Sequence, residues 1–180
     1  AIAGGFINGL AGFGTALFSL GFWLQIMPPE QAVALVLAMS VLSGIQGLIL
    51  VRRDIQPRRL GRFAIPAVIG IPIGIALLVV IDSGMLQLII AVFMLLYGGF
   101  FSYRRALPQM TRKTPLLDML IGFVAGVLGG TAGLSGALPT MWCALRPWPK
   151  MEQRAVLQPF NMLILGLSLV GLAINGAYTV

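Results

Sequence analysis

Charged positions along this chain are bunched, and long apolar runs separate the bunches. All seventeen fall in five places. Glu30 and Asp82 stand alone. Arg52, Arg53, Asp54, Arg58, Arg59 and Arg62 form one group, and Arg104, Arg105, Arg112, Lys113 and Asp118 a second. Arg146, Lys150, Glu152 and Arg154 form a third. Six uncharged stretches result: 1–29, 31–51, 63–81, 83–103, 119–145 and 155–180. Crossing roughly 30 Å of hydrocarbon takes about 20 apolar residues at about 1.5 Å each, and every stretch is that long. Runs such as 86–96 are apolar on all sides, which excludes the alternation of a β-barrel strand. A helix also satisfies its own backbone groups, which lipid cannot do. The pattern predicts an all-α polytopic membrane bundle with six membrane segments.

Composition agrees. The chain is 58% hydrophobic and 9% charged, with mean hydropathy +0.97. A water-soluble domain carries about 25% charged residues to keep its surface wet. The net charge of +7 sits in short gaps between apolar runs, a membrane-topology pattern, so nucleic acid is excluded as a partner. The chain has no His, and its single Cys143 lies in an apolar run. No thiolate metal site, disulfide framework or histidine base is available within it. The chain opens inside an apolar stretch without an initiator Met, the expectation for a piece of a longer protein.

Basic residues set orientation. If every stretch crosses, the groups at 52–62 and 104–118 share one face with nine basic residues and are cytoplasmic. Arg146, Lys150 and Arg154 then lie on the outer face, where they attract an anion. The alternative is that 119–145 dips in and returns; crossing is the favoured expectation.

The chain also repeats itself. Gly5-Phe6-Ile7-Asn8-Gly9-Leu10-Ala11-Gly12 matches Gly122-Phe123-Val124-Ala125-Gly126-Val127-Leu128-Gly129, and Glu30-Gln31 matches Glu152-Gln153. The first copy spans 1–110 as a four-helix repeat, and 111–180 begins the second, with about two helices expected beyond Val180. Duplicated halves are a mark of secondary transporters, and four intervening crossings make this repeat parallel.

Glycine leads each copy. The spacings Gly5/Gly9 and Gly122/Gly126 suit close helix packing. The denser clusters are Gly12, Gly14 and Thr15, and then Gly129, Gly130, Thr131, Gly133, Ser135 and Gly136. Each glycine costs a helix about 1 kcal/mol against alanine, so these clusters predict breaks in mid-membrane. A broken helix presents amide donors and the positive end of a half-helix dipole, which suits an anion, and the hydroxyls of Thr15, Thr131 and Ser135 add donors. Gln158 and Asn161, three apart on one helical face, are the best further pathway candidates, with helix-to-helix bonding the competing role. Trp142 reads as an interface or packing residue. Gly133-Leu134-Ser135-Gly136 also looks like the nucleophile motif of intramembrane rhomboid proteases, but Ser135 has no histidine in this chain to activate it. The residues therefore read as a transporter and not an enzyme, with an anion channel or a non-transporting membrane scaffold as alternatives.

The string 126–136, followed by Trp148-Pro149-Lys150-Met151-Glu152-Gln153-Arg154-Ala155 and Gln158-Pro159-Phe160-Asn161, resembles the signature of the TauE/SafE-type sulfite exporters, also called TSUP permeases. The leading Gly5, Gly9, Gly12 and Gly14 look like that family's first-repeat motif. The resemblance covers essentially the whole chain. It implies about eight membrane helices in two four-helix repeats, and transport of sulfite, an organosulfonate or a related organic anion. In the first repeat the glycine run is thinner than the family pattern, with Phe13 between Gly12 and Gly14. The partners implied are a small anionic substrate and the lipid bilayer of the inner cell membrane. A homo-oligomer is left open, and neither cofactor nor metal is called for.

Overall fold

The computed structural model describes residues 14–103, 110–112 and 114–174, with side chains from residue 19 onward. All regular structure among them is helical: α1 (Gly14–Trp23), α2 (Pro29–Val51), α3 (Pro57–Val80), α4 (Ser83–Tyr103), α5 (Pro115–Ala132), α6 (Ala137–Ala144) and α7 (Lys150–Ile174). Proline stands in the first turn of α2, α3 and α5, where its missing N–H costs nothing and its fixed φ favours helix.

Five of these helices, α2, α3, α4, α5 and α7, are long and apolar enough to cross a membrane. The fold class is as expected, but six crossing segments are not found among the described residues. The first stretch contributes only the 10 residues of α1 here, and the 119–145 stretch does not cross.

That stretch folds as a hairpin. Helix α5 runs inward for 18 residues, about 27 Å, and then stops. After a four-residue break α6 comes back. Its end lies beside the start of α5: the Met110 amide donates to the Leu145 carbonyl at 2.8 Å, and Trp142 Nε1 donates to Asp118 Oδ1 at 2.7 Å. The expected crossing is therefore corrected. Arg146, Lys150 and Arg154 do not stand opposite the group at 52–62 but share the end of the bundle that holds it, where Arg59 Nη1 donates to Glu152 Oε2 at 2.7 Å. With the hairpin in place, the basic residues no longer conflict with a one-sided charge rule: all nine described ones stand at this end, and only Glu30 and Asp82 mark the other.

Two helix pairs make the core. Helices α3 and α5 run parallel, with Phe63 against Gly122, Ala67 against Gly126, and Gly70 and Gly74 against Val127. A side chain at Gly122 or Gly126 would run into the α3 backbone itself, so packing is the reason for glycine there. Helices α2 and α7 run antiparallel, Gly44 meeting Met162 and Gly47 meeting Gln158. The recurring Glu-Gln pairs begin these two helices, and they stand at opposite ends of the bundle. Helices α2 and α7 thus do not point the same way, as a parallel repeat would require of them. Large apolar side chains left outside, such as Leu88 and Leu95 of α4, Ile69 of α3 and Val170 of α7, give the bundle an exterior suited to lipid.

Candidate functional site

The break between α5 and α6 is built by its glycines. Gly133 has φ 67°, a left-handed conformation that penalises any residue with a Cβ, and it ends the helix. Its amide donates to the Gly129 carbonyl at 3.0 Å and the Leu134 amide to the Leu128 carbonyl at 3.2 Å. Gly136 directly precedes α6, whose N-terminus lies at the break. Among the described residues the amides of Ser135 and Gly136 meet no backbone carbonyl. Such amides beside a helix N-terminus concentrate partial positive charge.

Against this break lies the middle of α7. Ser135 Oγ donates to Asn161 Oδ1 at 3.1 Å, with both residues buried. Asn161 is eleven residues into α7, about 17 Å from its start and so near the middle of that 25-residue helix. Gly129 permits the approach, since an added Cβ there would fall 2.8 Å from Ile164 and 3.1 Å from Ser135. A neutral polar pair is thus held in an apolar core that includes Leu134, Phe160 and Ile164. Polar groups at such depth are expensive unless bonded or functional.

The other residues singled out from the sequence are dispersed. Thr131 is turned toward α3, its hydroxyl directed at the carbonyls of Val127 (2.8 Å) and Gly74 (3.1 Å). Gly130 packs on α3 as well, where a Cβ would meet the Ile71 carbonyl at 2.7 Å. Gln158 faces Gly47 of α2. Gly14 opens α1; Gly12 and the side chain of Thr15 lie outside the described residues. Gly133, Ser135, Gly136 and Asn161 are the ones brought together.

Two features were not read from the sequence. One is a buried cluster at the mouth of the hairpin. Arg146 Nη2 donates to Asp118 Oδ1 (3.1 Å) and to Thr114 Oγ1 (2.6 Å), and its Nη1 donates to the Arg112 carbonyl. Its guanidinium lies over the Trp142 ring at 4.8 Å. The only signal for it was the misplacement of three cations under a crossing topology. The other is a cavity of about 350 Å³ at the basic end, lined by Arg58, Arg59, Arg62, Asp118, Arg146 and Trp148 among others. No group of acidic, cysteine or histidine side chains among the described residues is arranged to hold a metal ion.

Fold and break together define a polytopic helical membrane protein with an interrupted re-entrant hairpin at its centre. The model of the sulfite exporter TauE/SafE family matches residues 1–180, and the chain belongs to that family of membrane transporters. No curated protein and no solved structure matches the chain.

Proposed function

We propose that this chain is a secondary permease of the inner cell membrane that moves a small anion past the break between α5 and α6 by alternating access. Sulfite is the leading substrate, with an organosulfonate or related organic anion next. The observation that carries this reading is the buried Ser135–Asn161 pair set against a helix interruption whose amides at 135 and 136 lack backbone acceptors. Fixed amide dipoles and hydroxyls replace part of an anion's hydration without placing a full charge in the membrane. No catalytic step is needed.

Three further parts of the reading follow. The copies 1–110 and 111–180 form two repeats of opposite direction, supported by the antiparallel run of α2 and α7. Halves so related can exchange conformations and expose the site to each side in turn. The end carrying 52–62 and 104–118 is cytoplasmic, since basic residues gather there and only Glu30 and Asp82 stand opposite. Lys150 and Arg154 are exposed at that same end and raise the local concentration of anions at its mouth. Arg146 is buried and holds the hairpin closed instead.

The test is flux of labelled sulfite into proteoliposomes, with chloride and sulfate as controls. Saturable flux favouring sulfite supports the reading, and equal flux for all three anions contradicts it.

A further inference from the structure

We propose that the cavity between the start of α3 and the end of the hairpin is a binding site for an organic oxyanion, a sulfonate or phosphate group carried on an apolar body. It is separate from the break in mid-membrane and rests on no step of the passage described above.

The charge of the lining carries the inference. Four guanidiniums, those of Arg58, Arg59, Arg62 and Arg146, border the cavity. Asp118 answers Arg146, and Glu152 answers Arg59. Arg58 and Arg62, one helical turn apart in the first turns of α3, form no ion pair among the described residues. The walls therefore hold two positive charges in excess, and the positive end of the α3 dipole adds to them. Arg146, 7% exposed, also keeps a buried Nε–H without an acceptor. The planar fork of donors on a guanidinium pairs bidentately with two oxygens of a sulfonate or phosphate group.

Size and texture narrow the class. At about 350 Å³ the cavity is in the range of small-molecule sites and is roomy for a bare ion. Phe63 and Trp148 supply apolar wall, and Trp148 is fixed by Arg59 stacked 4.6 Å above its ring. A molecule with an anionic head and an apolar body fits both features. Two sources offer that chemistry, a soluble organic anion and the headgroup of an anionic lipid.

The experiment is calorimetric titration of the whole protein, in phosphatidylcholine nanodiscs, with ethanesulfonate. Saturable binding is expected, weakened at least about tenfold in the Arg58→Gln/Arg62→Gln double variant, whose thermal unfolding midpoint should stay that of the unmodified protein because both side chains are exposed. Binding should survive Asn161→Leu, which separates this site from the one in mid-membrane. Nanodiscs made with phosphatidylglycerol distinguish the sources: undiminished binding identifies a soluble anion, and displacement identifies a lipid headgroup. Absence of saturable binding in phosphatidylcholine, full affinity in the double variant, or loss of binding in Asn161→Leu would overturn the proposal.

Discussion

Arg146 and Asp118 meet at 3.1 Å, and this contact ties the end of α6 to the first turn of α5. Their side chains are 6% and 8% exposed. A buried ion pair of this kind contributes little over an apolar pair of equal volume, but losing one member strands the other charge. Arg146→Met should therefore cost roughly 3 kcal/mol, read as a lowered thermal unfolding midpoint. Arg146→Met/Asp118→Leu should recover part of the loss. If the double variant is as unstable as the sum of the two single ones, the pair is not coupled as described.

The hairpin has a topological consequence. In a Cys143→Ser background, Arg53→Cys and Lys150→Cys should react with a membrane-impermeant maleimide from the same side. Reaction of the two from opposite sides would restore the crossing topology.

Backbone contact between α3 and α5 predicts an asymmetry among glycines. Gly126→Ala pushes a methyl into the Ala67 backbone and should lower stability by roughly 2 kcal/mol, the usual cost of overpacking. Gly99→Ala in α4 has nothing within 4 Å of the added carbon and should be neutral or gain up to about 1 kcal/mol from helix propensity. Comparison of the two unfolding midpoints checks this.

Particular elements show what the sequence made legible. The uncharged stretches 31–51, 63–81 and 83–103, and the described part of 155–180, lie almost wholly within α2, α3, α4 and α7, because the length of an apolar run decides whether a helix can span lipid. The stretch 119–145 is just as long, so length alone cannot distinguish a span from a hairpin. What turns it back is one left-handed glycine and a contact between residues 28 apart, Asp118 and Arg146. The glycine density around Gly133 did announce a break. It did not announce that Thr131 and Gly130 would face α3, since their orientation depends on which neighbour α5 chooses.

The mid-membrane pair offers the most direct test. Sulfite flux into proteoliposomes should fall at least about tenfold in Asn161→Leu and in Ser135→Ala, each removing a polar group at the break, while thermal unfolding shows that both variants remain folded. Folded variants that carry sulfite at the unmodified rate would contradict the account, for the anion would then pass somewhere other than between Ser135 and Asn161.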